Sequence, residues 1–218
     1  IGAVLTLSEA TPSAVTGAEW GIPVISPETL TISEDDTVMI EVTNTITRDV
    51  GAFSVKKSLT GIATGLVSQE ATFTVKWSYP AGVGYEADSG EAIVTADGDP
   101  VLVSGIPAGA VVSLVEEPPT PVVGADWEAP IFSQSTFTIN QGEVVSIELE
   151  NPITLGSGGF QIRKLLDGTG ADLIAPDTAL EVEYSYPGGI GFEAGSGSIS
   201  VLPDGEWVQS DPLPYGAE

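Results

Sequence analysis

The chain repeats itself. Residues 53–61, Phe-Ser-Val-Lys-Lys-Ser-Leu-Thr-Gly, return at 160–168 as Phe-Gln-Ile-Arg-Lys-Leu-Leu-Asp-Gly. Phe53, Lys57, Leu59 and Gly61 thus recur as Phe160, Lys164, Leu166 and Gly168, each 107 positions on. The same offset holds without a gap when residues 1–111 are laid on 108–218, with about 40% of positions identical, which marks tandem copies of one unit. Gly17-Ala18-x-Trp20 matches Gly124-Ala125-x-Trp127, and Ser78-Tyr79-Pro80 matches Ser185-Tyr186-Pro187.

The unit reads as all-β. The chain holds 26 Gly and 16 Pro among many Val, Ile and Thr, the composition of short strands and tight turns. No stretch of ten or more residues shows helical apolar spacing. In one phase of the repeat, strands are expected at Phe53–Leu59, Thr72–Tyr79, Ala92–Ala96, Val101–Ser104, Ala110–Glu116, Thr136–Ile139 and Glu143–Asn151, with Asp97-Gly98-Asp99 as a hairpin turn. Seven short strands of this kind predict an immunoglobulin-like β-sandwich.

The Gly-rich and polar stretches Thr47–Gly51 and Leu155–Gly159 are the expected linkers. They divide the chain into 1–47, the second half of one unit; 52–153, a complete unit; and 158–218, the first half of another. Each half is expected to be disordered or completed by a neighbouring chain. A boundary near residue 107, giving two whole domains, is the alternative.

Side chains alternate between the two faces of a strand. By that parity Lys57 shares the apolar face of Phe53, Val55 and Leu59. Glu116 shares the face of Val112 and Leu114, and Asn151 that of Val145, Ile147 and Leu149. Glu9, Asn44 and Lys164 repeat the pattern in the half units. Burying an isolated charge costs several kcal/mol, of that order even after relaxation. Desolvation favours the neutral amine of a lysine and the neutral acid of a carboxyl, and a neutral amine is a nucleophile. Attack on a neighbouring Asn amide, with a carboxyl polarising its carbonyl, expels ammonia and leaves a Lys–Asn isopeptide bond, formed once and not turned over. The alternative reading is a Lys–Glu ion pair at the sheet margin, with the lysine reaching out to water.

Leu114-Val-Glu116-Glu-Pro-Pro resembles the Leu-x-Glu-Thr-x-x-Pro box of Cna B-type domains in Gram-positive surface adhesins and pili. Phe53-x-Val-x-Lys57-x-Leu-Thr-Gly61, Ser104-Gly-Ile-Pro-Ala-Gly109 and the closing Val-x-x-x-Leu-x-Asn151 are similar to an uncharacterised domain family found in tandem on actinobacterial surface proteins. The resemblance implies structural stalk or spacer repeats of an extracellular, cell-wall-anchored adhesin or filament. It implies Lys57 as nucleophile, Asn151 as acceptor and Glu116 as the proton-shuttling acid. Glu117 stands where the box has Thr, and the first copy reads Glu9-Ala-Thr-Pro. Only Lys57, Glu116 and Asn151 form a complete set; Glu9 and Asn44 lack a lysine, and Lys164 lacks both partners.

The formal net charge of −25 argues against nucleic acid and anionic membranes as partners. There is no Cys and no His, which excludes disulfides, thiol chemistry and every His-based triad or metal site. No enzymatic activity is expected beyond the single-turnover cross-link. Excess acid invites Ca²⁺, with Asp97, Asp99, Asp204, Glu206 and Glu34-Asp35-Asp36 as weak candidates. Trp20 and Trp127 are expected at a sandwich corner, the sharper alternative being a carbohydrate-binding aromatic. A carbohydrate- or protein-binding module is therefore the competing function. The partners expected are adjacent repeats of the same protein and an unidentified surface ligand.

Overall fold

The computed structural model describes residues 2–34, 37–96 and 98–218. Residues 50–155 form a two-sheet sandwich of nine strands: β1 Val50–Thr60, β2 Thr72–Tyr79, β3 Asp88–Thr95, β4 Val101–Pro107, β5 Val111–Glu116, β6 Ala125–Trp127, β7 Ile131–Phe132, β8 Thr136–Thr138 and β9 Val144–Leu155. One sheet runs β4-β1-β9-β6, with β7 also paired to β9; the other runs β8-β5-β2-β3. The all-β, immunoglobulin-like architecture expected from the sequence is the one formed. Among the described residues no helix is long and apolar enough to cross a membrane.

The alternation that predicts the strands also builds the core. Phe53 and Val55 of β1, Val75 of β2, Val112 of β5 and Leu149 of β9 lose all contact with water. Phe53 meets Phe137 edge-on at 5.5 Å, a favoured aromatic geometry. The first and last strands, β1 and β9, lie side by side and parallel, with Phe53 opposite Val145 and Lys57 opposite Leu149. All other strand pairs of the sandwich are antiparallel.

The flanking segments are built from the same pairs. Before the sandwich, Val4–Thr6 pairs with Thr29–Thr31, Ala18–Trp20 with Ile46–Arg48, and Val24–Ser26 with Glu41–Thr43. After it, Ser157–Gly158 pairs with Leu213–Pro214, Gln161–Ile162 with Val208–Gln209, and Leu180–Tyr186 with Gly195–Val201.

The stretches expected as linkers are ordered. Only Asp49 separates Ile46–Arg48 from β1, and only Gly156 separates β9 from Ser157–Gly158. Asp49 N–H donates to Gly17 O at 3.0 Å, and its carbonyl accepts from Ala108 N–H at 2.9 Å. Gly156 makes the equivalent bonds to Gly124 O at 2.8 Å and from Tyr215 N–H at 2.9 Å. Gly51 is buried within β1, where a Cβ would meet the Asn140 carbonyl oxygen. The glycine there answers a close backbone approach rather than a need for flexibility.

Candidate functional site

Three polar residues sit inside the sandwich. Lys57 is 1% exposed, Glu116 8% and Asn151 0%. Lys57 and Asn151 lie on the neighbouring strands β1 and β9. Asn151 stands opposite Leu59, two residues beyond the Lys57–Leu149 pair, on a diagonal that a long side chain can span. Glu116 comes from the other sheet, at the end of β5, where it pairs with Val75 of β2. The strand parity that the sequence predicts thus delivers all three to one interior.

Lys57 Nζ lies 3.3 Å from Glu116 Oε1, with both side chains shut off from solvent. The contact is an ion pair, and among the described residues no group hydrogen-bonds to Lys57 Nζ, to either Glu116 oxygen or to either amide atom of Asn151. The ammonium also rests over the Phe73 ring, 4.6 Å from its centroid. Burial lowers the Lys57 pKa from 10.5 to about 8, against the opposing pull of Glu116 and, more weakly, Glu150. A buried polar atom without a partner costs about 1–3 kcal/mol; Glu116 Oε2 and both amide atoms of Asn151 have none, and Lys57 Nζ and Glu116 Oε1 have only each other, which is a departure from ordinary packing. Removing the lysine's charge and the side-chain amide's NH₂ in one reaction would relieve it.

The half units carry fragments of this arrangement. Asn44 Nδ2 donates to Glu9 Oε1 at 2.9 Å, so the first flank brings these two together without a lysine. Lys164 lies beyond the short strand Gln161–Ile162 and is half-buried. Glu86, Glu193 and Lys56 are exposed.

Trp20 and Trp127, each the last residue of a three-residue strand, are held in the same way. Trp20 Nε1 donates to Ser13 O and Trp127 Nε1 to Thr120 O, each at 2.9 Å. Trp127 packs edge-on against Phe73 at 5.7 Å. Among the described residues no group of three or more acidic side chains is placed to hold a metal. Asp204 instead accepts the backbone N–H of Glu206 at 2.9 Å in a turn. Asp35, Asp36 and Asp97 lie outside the described residues.

Repeat comparison of the sequence does not reveal one further residue. Arg48 leaves the first flank and enters the sandwich. Its guanidinium donates to Ala108 O at 3.2 Å and to Val83 O, and sits 5.2 Å from the Tyr85 ring centroid. The corresponding position at the next joint is Leu155. The available signal was a cation standing alone in a chain with six basic residues.

Fold and interior therefore define a class, the all-β, immunoglobulin-like β-sandwich domain. The family model described as Domain of unknown function (DUF5979) matches residues 1–47 and 53–154, well over half of the chain, and the chain belongs to that family. No curated protein matches it. Among solved structures, it is similar to the pilus-presented adhesin Spy0125 (Cpa), at 11% identity and a TM-score of 0.33 over 48% of this chain. It is similar to the Bacillus anthracis TIE protein at 15% identity and 0.40 over 86%. A third is the major pilin protein (T3.2) from Streptococcus pyogenes, at 11% and 0.34 over 66%. The matched regions span 28%, 30% and 64% of those chains.

Proposed function

We propose that this chain is a run of structural spacer repeats from an extracellular surface protein, a stalk or filament, in which 50–155 is one unit and the flanks are parts of its neighbours. The unit is self-cross-linked. Lys57 Nζ attacks Cγ of Asn151; the Nζ–Cγ bond forms, the Cγ–Nδ2 bond breaks, and Nδ2 leaves as ammonia. Glu116 relays the proton from Nζ to Nδ2, so atoms and charge balance with no other reactant.

The observation that carries this reading is the set of five buried, hydrogen-bond-free polar atoms on Lys57, Glu116 and Asn151, with Nζ and Oε1 3.3 Å apart. The bond would close most of the unit into one loop. By analogy with disulfides, that closure contributes about 4–5 kcal/mol through chain entropy. The single-residue joints at Asp49 and Gly156, each hydrogen-bonded on both sides, support a stiff spacer over a flexible string. Cell-wall anchorage belongs to the same proposal and rests on the family resemblance.

The test is the mass of the unfolded 218-residue chain. A loss of ammonia that maps to a Lys57–Asn151 peptide, and that Lys57→Ala and Glu116→Ala both abolish, is expected. A free Lys57 in the folded, purified protein would leave an ion pair in its place and sink the cross-link.

A second reading has one observation in its favour. An open groove of about 710 Å³ is lined by Leu66, Val67, Phe73, Pro121, Val122 and Trp127 among others, within the size range of small-molecule sites. A sugar or peptide binding there would make the sandwich a binding module.

A further inference from the structure

The amine that the cross-link uses is held by few groups. Besides its ion pair with Glu116, Lys57 Nζ rests on the face of the Phe73 ring, 4.6 Å from the centroid. A lysine carries its charge on a flexible stem, so these two contacts decide where the nitrogen lies. Both come from the same sheet. Glu116 stands opposite Val75 of β2, and Phe73 lies two residues before Val75 on the same inward face.

The ring is itself held. Phe73 is 3% exposed. Trp127 meets it edge-on at 5.7 Å, with the two planes 89° apart. The indole N–H donates to Thr120 O at 2.9 Å. Thr120 lies between Pro119 and Pro121, in the loop that leaves Glu116 through Glu117, Pro118 and Pro119. Each proline fixes its own φ, which stiffens that loop. One segment thus supplies the acid at its start and the indole at its end, and contacts run from Thr120 through Trp127 and Phe73 to the reacting nitrogen.

The strand position does not need a ring. In the following segment Leu180 pairs with Val201 as Phe73 pairs with Val94. Phe73 and Trp127 also border the open groove of about 710 Å³, where the competing reading would put a ligand. Their contacts with Lys57 and with each other give them a different task.

We infer that Phe73 is a positioning residue for the reaction of Lys57 with Asn151, its ring face holding Nζ beside Glu116, and that Trp127 in turn positions Phe73. This rests on the cross-link proposed above, and the bonds made and broken are the ones given there; neither ring takes part in them. The electron-rich face attracts the ammonium and so keeps the nitrogen in place until its proton leaves. The body of the ring then keeps water from the free amine.

The experiment separates folding from chemistry. Unreacted 218-residue chain, recovered unfolded in urea, is refolded at about pH 5, where the lysine holds its proton. It is then moved to a series of values between about pH 6 and 9, and ammonia loss is followed by intact mass. The acidic groups acting on Nζ are Glu116 and, more weakly, Glu150, and every variant keeps both. Phe73→Leu is expected to lower the plateau rate about tenfold to a hundredfold. Its rate should also rise at a pH lower by about half a unit to one unit, because the ammonium has lost the ring. Phe73→Tyr restores both properties. Trp127→Phe keeps an aromatic edge but not the tie to Thr120 O, and slows the plateau by a smaller factor. If Phe73→Leu does not refold, Phe73→Met takes its place.

A plateau rate equal to the parent's in Phe73→Leu overturns the positioning role and spares the cross-link. A midpoint that stays or moves upward, as admitted water would move it, overturns the contact between ring and amine. Trp127→Phe reacting at the parent's rate overturns the part given to Trp127. A parent chain that loses no ammonia overturns the cross-link and this inference with it.

Discussion

Lys57 and Glu116 come from opposite sheets, yet Nζ and Oε1 approach to 3.3 Å in an interior that excludes water from both side chains. An unreacted lysine there has a measurable signature. Its pKa is lowered to about 8 from 10.5 by burial. Below about pH 8 the folded and unfolded chains both hold the proton. Between about 8 and 10.5 only the unfolded chain does, so raising the pH favours the folded state. In Asn151→Ala, which cannot form the bond, urea unfolding is expected to show stability rising from pH 7 to 9.5, toward a full gain of order 3 kcal/mol. The cross-linked protein is expected to be flat over that window, because an amide nitrogen does not titrate there. A variant as flat as the parent would mean that Lys57 keeps its proton throughout.

Gly61 ends β1 with φ +100°, and a Cβ there would run into the carbonyl oxygen of Ile153. Gly61→Ala is expected to destabilise the sandwich by about 2–4 kcal/mol, combining backbone strain with a clash against β9. Gly168 holds nearly the same φ, +98°, with nothing within 4 Å of the added Cβ. There Ala is expected to cost only the strain, about 1–2 kcal/mol. Denaturant midpoints of the two variants, followed by hydrogen exchange in each segment, check the contrast.

Arg48 ties the end of the first flank to two loops of the sandwich through Ala108 O and Val83 O. Hydrogen bonds from a charged donor contribute about 1.5–3 kcal/mol. Arg48→Ala is expected to speed amide exchange at Asp49 and Ala108 by about tenfold or more. Exchange at β1 and β9 core amides should stay unchanged. Uniform acceleration across the sandwich would instead make Arg48 part of the fold's general stability.

Trp127 separates the two functional readings. Its indole N–H is committed to Thr120 O and its ring to Phe73. Trp127→Ala is expected to cost about 2–4 kcal/mol, in the manner of a half-buried aromatic. Titration of the intact chain with soluble glycans is expected to leave its fluorescence unchanged. A saturable change in emission would move the groove beside it from packing to binding.

Much of this was legible in period-two alternation. Thr72–Tyr79 appears with the bounds that the sequence predicts, because Phe73, Val75 and Tyr79 bury one face in regular order. The same parity placed Lys57, Glu116 and Asn151 inside. Strands β6 and β7, three and two residues long, are too short to show a period and are held by backbone pairing to β9. Glycine and polar content pointed to linkers at 47–51 and 155–159, yet these run almost unbroken into strands. Gly51 is small because Asn140 passes close by, a tertiary reason that no local signal carries. Arg48 was missed because its counterpart is Leu155, so comparing the copies hides its role.

The parallel pairing of β1 and β9 has a mechanical consequence. The preceding segment enters at the start of β1 through Asp49, and the following one leaves at the end of β9 through Gly156. In parallel strands those two points lie at opposite ends of the pair. Pulling the chain from both sides therefore slides β1 along β9, loading the register from Ala52↔Val144 to Thr60↔Pro152 all at once. An antiparallel pair pulled from one end would open like a zipper, one bond at a time; this one has to be sheared.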